Sequence, residues 1–388
     1  MIIAGIAPGR FGGVAMIRDD RLLLHTDVRH LDNNPDDVVL DDQDMVPRLL
    51  GTRTPDDVDE WAVAADAGGG ALRDGGNLEI GGKTRSAVRY ERVECLAAAA
   101  WCTSPFARRG EGALVAVGAH RFHFGGDGVM RPAGGREAPA TANRCLVALG
   151  EAVDWATERP ADGDGEWWTP PFHAAACAAI GAAALRAATG GKLRPLQWHV
   201  QAGPELVRHP HLPAGWLPRP CRPEELARLL AGTGRAVVAL HGRVKPARDS
   251  LGTRSLLIPV TRTPAEPAAA ALCLVEDVAE VFADGRPDPY ATRRLTLRQS
   301  WAHRLPGLAG GPVRVQTVDP DSDRTLTILL REYRKWSGGV PVLGVAEARL
   351  PGRGPFPDVH SALRWDGADT VWADNVLYRR ADDKGARR

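Results

Sequence analysis

The sequence predicts an α/β protein with two domains. Its 388 residues are enough for two hydrophobic cores, and short β-branched runs alternate with helical segments rich in alanine and leucine. A further observation is that two apolar strands flank a glycine- and arginine-rich loop within residues 236–260. Together these features predict the α/β class.

The composition argues against several kinds of partner. The formal net charge is +1, so no charge excess favours nucleic acid or an anionic membrane surface. No apolar run approaches the roughly 20 residues of a membrane-spanning helix. Residues 1–10 lack the basic region of a signal peptide and are interpreted as a first strand. We therefore expect a cytoplasmic protein.

Cysteine usage agrees with that expectation. The six cysteines are scattered, and none belongs to a C-x-x-C pair. Neither a disulfide framework nor a structural zinc site is typical of such a pattern in a chain of this size. Buried free thiols are predicted at Cys95, Cys102, Cys145, Cys177, Cys221 and Cys273.

The amino-terminal half is predicted to open with a strand and a hairpin. Apolar runs alternate there with turn residues such as Asp19-Asp20. The predicted strands are residues 1–7, 12–17, 21–27, 60–65 and 113–118, followed by a hairpin at 120–130. Helices are predicted near Val46 and at residues 93–106, 142–157 and 173–188.

A glycine-rich patch at residues 68–82 has two interpretations. Gly82-Lys83-Thr84 is similar to the end of a phosphate-binding P-loop. That motif requires a glycine where Asn77 stands, and no long apolar strand leads into it. A hairpin is therefore the favoured interpretation.

The carboxyl-terminal half shows the same alternation of strands and helices. Helices are predicted at residues 223–230, 275–282 and 325–336. Strands are predicted at residues 236–240, 255–260 and 340–343, strand character at residues 263–274, and a last hairpin at 371–378.

Residues 239–258 form the most informative stretch. A β-branched strand leads into a loop that carries four cations within twelve residues, Arg243, Lys245, Arg248 and Arg254. Glycines in the loop allow close approach of the backbone, so the pattern suits an anionic ligand such as a phosphate. The alternative is an exposed basic loop without a ligand.

This stretch resembles the signature of the carbamoyltransferases of antibiotic and nodulation-factor biosynthesis, which runs approximately G-R-x-E-x-G-P-R-A-L-G-N-R-S. Lys245 occupies the glutamate position, Asp249 the middle arginine position and Thr253 the asparagine position. The matching residues are Gly242, Arg243, Leu251, Gly252, Arg254 and Ser255. Residues 97–106 and 314–318 match two further family segments, the second being R-V-Q-T-V.

The resemblance implies a fold and a division of the chain. It implies an actin-like (ASKHA) domain at residues 1–205 and a YrdC-like α/β domain at 206–380, followed by a disordered tail at 381–388. In the family, as the resemblance implies, ATP and carbamoyl phosphate are condensed to carbamoyl-adenylate in the YrdC-like domain. An iron-containing site in the actin-like domain then passes the carbamoyl group to a substrate hydroxyl.

The family's metal-site positions are replaced in this chain. Histidine positions hold Arg10, Val93 and Leu96, and aspartate positions hold Phe11 and Ala175. We therefore predict no metal ligands and expect no iron. His120 and His123, which could be relocated ligands, are interpreted as exposed hairpin residues.

The nucleotide-site positions are retained in part. The family's K-x-R-E and N-T-S clusters are missing, whereas cations remain near the signature. For ATP or carbamoyl-adenylate, the candidate cofactor-binding residues are Arg243, Lys245, Arg254, Ser255 and Arg314. The alternative is that Arg243 and Arg254 pair with internal carboxylates or backbone carbonyls and only hold the loop.

Three functions follow from these patterns. The favoured hypothesis is a catalytically degenerate subunit of a biosynthetic pathway, which pairs with an active carbamoyltransferase or another pathway enzyme. The second is an active ATP-dependent carbamoyl or acyl transferase with an altered, metal-independent site. The third is a small-molecule-binding or chaperone-like role. No catalytic residue can be named from the sequence.

Overall fold

A computed structural model of the chain shows a mixed α/β protein, as the sequence predicts. It divides into two compact units, Met1–Pro204 (unit 1) and Glu205–Arg388 (unit 2). Within the described part of the chain, no helix is both long and apolar enough to cross a membrane. The described residues are 1–28, 31, 39–65, 76–133, 143–147, 167–168, 170, 172, 174–199, 203, 206, 212–243, 251–262, 268–283, 285–291, 293–308, 310–349, 356–367 and 369–381.

Unit 1 contains two large sheets and four α-helices among its described residues. The strands are β1 Ile2–Ala7, β2 Gly9–Arg10, β3 Gly13–Arg18, β4 Arg21–Asp27, β5 Val39–Leu40, β6 Glu60–Ala65, β7 Gly76–Ile80, β8 Lys83–Glu91, β9 Ala113–Val117, β10 His120–Phe124, β11 Met130–Pro132, β12 Arg144–Val147 and β13 Trp167–Trp168. The helices are α1 Met45–Leu49, α2 Arg92–Cys102, α3 Pro105–Arg108 and α4 Ala174–Ala187. The short strands β2 and β5 pair only with each other.

In the two large sheets of unit 1, the strands next to the first strand are arranged in the same way. In the first, of order β4-β3-β1-β6-β8-β7, β1 is antiparallel to β3 and parallel to β6. In the second, of order β11-β10-β9-β12-β13, β9 is antiparallel to β10 and parallel to β12. Each sheet therefore places an antiparallel meander on one side of its first strand and two parallel strands on the other. In the first sheet, β7 then pairs antiparallel with β8.

Helices α2 and α4 pack against each other through small residues, with α4 on the first sheet and α2 mainly on the second. Their buried positions are mainly alanine, which allows the helix backbones to approach closely. A Cβ atom at Gly181 of α4 would collide with the backbone carbonyl of Cys95 in α2. A Cβ atom at Gly5 of β1 would likewise meet the backbone of Ala179. These two glycines fix the spacing of the strand and the two helices.

Most predicted elements of unit 1 are confirmed, including the hairpin β7–β8 that was favoured over a P-loop. The helix predicted at 142–157 is wrong at its start. Arg144–Val147 forms strand β12, whose residues pair in parallel with Leu114–Val117 of β9. Pairing with a distant strand overrides the local helical pattern there. Residues 148–157 lie outside the described part of the chain.

Unit 2 is built on one large sheet. Its strands are β14 Trp216–Pro220, β15 Val237–Leu240, β16 Arg254–Pro259, β17 Ala270–Leu274, β18 Arg294–Leu295, β19 Val313–Val318, β20 Val342–Glu347, β21 Thr370–Ala373 and β22 Val376–Arg380. Its helices are α5 Pro223–Thr233, α6 Val278–Val281, α7 Gln299–Ala302, α8 Pro320–Trp336 and α9 Val359–Leu363. The strand order is β14-β22-β21-β15-β16-β20-β17-β19-β18.

The core of unit 2 lies on both faces of this sheet. On one face, helices α5 and α8 pack against each other with buried leucines. On the other face, α9 packs against residues of β15, β16 and β21 in a second core cluster. Ala381 still donates its backbone N–H to the carbonyl of Gly215, at 2.7 Å. The remainder of the tail predicted at 381–388 lies outside the described residues.

The described cysteines are buried free thiols, as predicted for this part of the chain. Burial raises the pKa of the Cys95, Cys102 and Cys273 thiols well above the ordinary value. These thiols remain protonated and serve as small core side chains. The side chain of Cys145 lies outside the described part of the chain.

The contact between α2 and α4 makes a testable prediction. We expect Gly181→Ala to lower the free energy of unfolding by at least about 2 kcal/mol, because a backbone carbonyl must move to admit the methyl group. Gly232→Ala in α5 is the matched control, since nothing lies within 4 Å of the position that its methyl group would take. The control should be neutral or stabilising in the same urea titration. Equal effects of the two substitutions would contradict the close packing of α2 and α4.

Candidate functional site

The candidate site is the loop that joins β15 to β16 in unit 2. Its described ends are His241–Arg243 and Leu251–Thr253, and residues 244–250 lie outside the description. The backbone N–H of His241 donates to the carbonyl of Thr253 at 3.1 Å, which extends the ladder between the two strands. Gly242 and Gly252 both adopt positive φ, at 55° and 76°. The two ends of the loop are therefore hydrogen-bonded to each other where the loop leaves and rejoins the sheet.

Arg254 lies buried where the two ends of the loop meet, with 3% of its surface exposed. Its guanidinium donates to three backbone carbonyls, those of Thr253 at 2.7 Å, His241 at 3.0 Å and Gly242 at 3.2 Å. Burial lowers the pKa of Arg254 to about 10, an effect that the charge of Asp374 opposes. These contacts agree with the predicted alternative in which Arg254 holds the loop.

Ser255 shapes the return of the loop into β16. Its hydroxyl oxygen accepts a hydrogen bond from the backbone N–H of Gly252 at 3.1 Å. A Cβ atom at Gly252 would lie 2.5 Å from the side chain of Leu326 in α8. The positive φ therefore favours glycine at this signature position, and a methyl group there would also displace the end of the Leu326 side chain.

The last hairpin of the chain fixes the loop from the other side. Asp374 and Asn375 form the turn between β21 and β22, with φ of 43° and 71°. The Asp374 backbone N–H donates to the carbonyl of Leu240 at 3.2 Å, and its carboxylate accepts the Gly242 N–H at 3.3 Å. The signature loop is thus bonded to a segment more than a hundred residues away in the sequence.

A buried histidine–aspartate pair adjoins the loop, and sequence reasoning missed it. The Nε2 atom of His241 lies 3.6 Å from a carboxylate oxygen of Asp323, and both side chains are almost fully buried. Asp323 also accepts the Leu326 N–H at 3.0 Å, so it caps the regular part of α8. The His241 ring lies 5.7 Å from the Trp372 ring. Only the capping position of Asp323 could have been suspected from the sequence.

The structure brings together only some of the predicted cofactor-binding residues. Arg243, Arg254 and Ser255 flank the loop, whereas Lys245 lies outside the described residues. Arg314 lies on β19, and strands β20 and β17 separate it from β16. The sheet register places Arg314 on the same face as Leu257, and therefore on the face opposite to Arg254. Arg314 and Arg254 do not form one site.

The family's metal positions in unit 1 are occupied by side chains that pack. Leu96 and Ala175 are buried, and Val93 packs against the same core cluster. The guanidinium of Arg10 lies 4.8 Å from the centre of the Phe11 ring. None of these side chains offers an imidazole or a carboxylate, so they do not fit an iron ion.

Other potential ligands in unit 1 do not rebuild a metal site. His25 and Asp27 are buried on β4, but no group of three or more His, Cys, Asp or Glu side chains that could hold a metal occurs among the described residues. His120 lies exposed on β10, as expected for a hairpin residue. His123 is half-buried on the same strand.

The buried Arg254 guanidinium makes a testable prediction. Arg254→Met should lower the free energy of unfolding by about 3 kcal/mol, because three buried carbonyls lose their donor. Arg254→Lys should recover little of that loss, since an ammonium cannot reproduce the planar fork. Arg235→Gln is the control, because that guanidinium pairs with Asp369 at the surface. An Arg254→Met variant as stable as the control would show that the carbonyl contacts contribute little.

The pair of His241 and Asp323 predicts energetic coupling. A double-mutant cycle with His241→Ala and Asp323→Ala should give a coupling free energy of about 0.5–3 kcal/mol in urea denaturation. The reason is that the two buried side chains share one contact, which either single substitution removes. Additive effects, within about 0.3 kcal/mol, would mean that the two groups act independently.

Comparison with known proteins finds relatives that match part of the chain. No protein-family model matches the chain. It is 36% identical over 228 residues to nodulation protein U of Rhizobium tropici, which covers 55% of this chain and 39% of that protein. It is 32% identical over 259 residues to nodulation protein U of Rhizobium fredii, covering 62% and 44% respectively. It is also 36% identical over 235 residues to nodulation protein U of Azorhizobium caulinodans, covering 57% and 41%.

The matched part of the chain spans about two-fifths of the length of these relatives. These relatives all carry the same name, and each match covers at least 228 residues. The resemblance that the sequence motifs indicate is thereby supported: over its matched part, the chain is a relative of nodulation protein U.

Proposed function

We propose that the chain is a carbamoyltransferase-family protein that no longer carries out the transfer itself and supports an active partner. The observation that carries this proposal is the replacement of five separate family ligand positions in unit 1. Carbamoyl transfer to an alcohol needs a metal ion or a base, because the pKa of the hydroxyl lies far above neutrality. The described side chains at those positions supply neither.

The finer fold assignment is part of the same proposal. Unit 1 would be the actin-like domain of the family and unit 2 its YrdC-like domain. The opening of unit 1 supports the first assignment, since an antiparallel meander continues into parallel strands on the other side of β1. The single large sheet of unit 2, with the signature loop at the junction of two of its strands, is compatible with the second.

The hydrogen bonds made by Arg254 in the signature loop and the position of Arg314 also support this accessory role. Polyphosphate chemistry requires several cations that face the phosphates in the transition state. Arg254 instead donates to backbone carbonyls inside the protein, and Arg314 lies on the other face of the sheet. The loop keeps its architecture, but Arg254 and Arg314 do not face one common ligand site.

The proposed partner is a protein: an active carbamoyltransferase of the same family or another enzyme of the pathway. The near-neutral charge of the chain supports a protein partner over nucleic acid or a membrane surface. We place this function in the cytoplasm. ATP or carbamoyl-adenylate would then be handled by the active partner.

A turnover assay tests the supporting role. The purified chain, supplied with ATP, carbamoyl phosphate and ferrous iron, should release no pyrophosphate above the level without carbamoyl phosphate. This readout does not require knowledge of the acceptor. Adding the chain to an active homologue should raise turnover of that homologue or its thermal stability. Turnover by the chain alone would overturn the proposal.

A second function is favoured by one observation, the retained end of the loop that carries Arg243. If the chain is an ATP-dependent transferase with a metal-independent site, ATP should bind in calorimetry, and Arg243→Gln should weaken the binding by about tenfold or more. Arg243 is the better probe than Arg254, whose substitution would disturb the fold. Absence of binding at millimolar ATP would eliminate this alternative.

A further inference from the structure

The two compact units carry net charges of opposite sign. Unit 1 contains 21 Lys and Arg residues against 27 Asp and Glu residues, which gives a net charge of −6. Unit 2 contains 28 Lys and Arg residues against 21 Asp and Glu residues, a net charge of +7. The near-neutral chain is therefore the sum of an acidic unit and a basic unit. Such units attract each other when they belong to different molecules.

Trp336 is the only exposed aromatic residue among the large apolar side chains that the structure describes, with 54% of its surface exposed. It lies three residues after the buried Tyr333 and continues the apolar stripe of α8 beyond the core. The turn that follows is fixed, because the Ser337 hydroxyl donates to the carbonyl of Val340 at 2.9 Å. The ring is thus presented from an ordered backbone, which lowers the entropic cost of binding a partner.

Two arginines lie beside Trp336 and the turn that follows it. The guanidinium of Arg228 on α5 lies 4.8 Å from the centre of the Trp336 ring. That of Arg304 donates to the carbonyl of Gly338 at 2.6 Å and lies 4.3 Å from the centre of the Trp301 ring. Among the described residues, neither arginine forms an ion pair, whereas the other cations in the last turn of α8 do. Trp336, Arg228 and Arg304, together the Trp336 surface, therefore combine an apolar ring with positive charge that no carboxylate compensates.

Unit 1 contains an exposed segment of the complementary chemistry directly after β5. Asp41, Asp42 and Asp44, together the acidic segment, are exposed, and none of them forms an ion pair with another described residue. The segment is ordered, since the Asp42 carboxylate accepts the Asp44 N–H at 2.9 Å and the Gln43 side chain accepts a backbone N–H of β7. Val39 on β5 adds an apolar side chain that is 39% exposed.

We propose that two copies of the chain associate, with the acidic segment of each copy on the Trp336 surface of the other. Both contacts form at once in a two-fold dimer, because each copy presents both surfaces. Tryptophan and arginine are the residue types that most often contribute strongly to protein interfaces, and an arginine paired with a carboxylate forms charge-assisted hydrogen bonds. Nucleic acid and anionic membranes fit less well, since the acidic unit of the same chain repels them. The dimer does not depend on the supporting role proposed above.

Sedimentation equilibrium of the full chain tests the proposal. The wild-type chain of 41.6 kDa should form a species of twice that mass. Raising NaCl from about 0.05 M to about 0.5 M should weaken the dimer, because exposed charges are then screened. Arg228→Glu and Trp336→Ser should each raise the dissociation constant by about tenfold or more, since one reverses a charge and the other removes the ring. Both side chains are exposed, and circular dichroism checks that each variant stays folded.

A charge exchange identifies the two sides of the contact. Asp41→Lys alone should weaken the dimer as Arg228→Glu does, because each variant places like charges opposite each other. An equimolar mixture of the two variants should dimerise again, since every contact then pairs opposite charges. Arg364→Glu is the matched control, because Arg364 is an exposed arginine at the end of α9, on the other face of the sheet of unit 2. The control should leave the dissociation constant unchanged.

Three outcomes would overturn the proposal. A wild-type chain that stays monomeric would leave the Trp336 surface to a partner of another sequence. Equal weakening by Arg364→Glu would show that only the overall charge matters. A mixture of the two charge-reversed variants that associates no better than either alone would show that the acidic segment and the Trp336 surface do not meet.

Discussion

The buried guanidinium of Arg254 is the constraint on which the signature loop depends. A buried cation is costly unless it donates hydrogen bonds. Here Nη1 and Nη2 donate to carbonyls at both ends of the loop. The contacts close the loop at its base, while Asp374 and Ser255 fix the flanking glycines. Here a sequence pattern that suits phosphate binding instead holds together strands β15 and β16 and the distant hairpin of β21 and β22.

Unit 1 achieves its close packing with small residues. Because α2 and α4 approach through alanines and glycines, their facing surfaces leave little room for long ligating side chains. Leu96 and Ala175 fill part of this interior, and both are compatible with a dry core. Loss of metal ligands and closure of the helix pair are therefore consistent with each other.

Much of the fold could be predicted from the sequence, because its strands and helices carry local patterns. The strands around the signature loop and the helix α4, which ends before Gly190-Gly191, follow directly from apolar periodicity and from turn residues. Strand β12 could not, since only its parallel pairing with β9 decides between helix and strand. The sequence also named Arg254 and Ser255 as neighbours in one loop. It could not show that Arg314 lies on the opposite face of the sheet, or that His241 meets Asp323, because both facts depend on tertiary register.

The two arginine groups of this protein show why residue type alone does not define a site. Arg254 directs its hydrogen bonds to carbonyls at fixed positions, so its charge is used to build the loop. Among the described residues, the guanidinium of Arg92 donates to a single carbonyl, that of Pro8. Arg10 is exposed and is supported by an aromatic ring, an arrangement that orients a guanidinium and leaves its donors available. In the signature loop, the protein therefore uses a sequence pattern typical of anion binding to hold its own backbone.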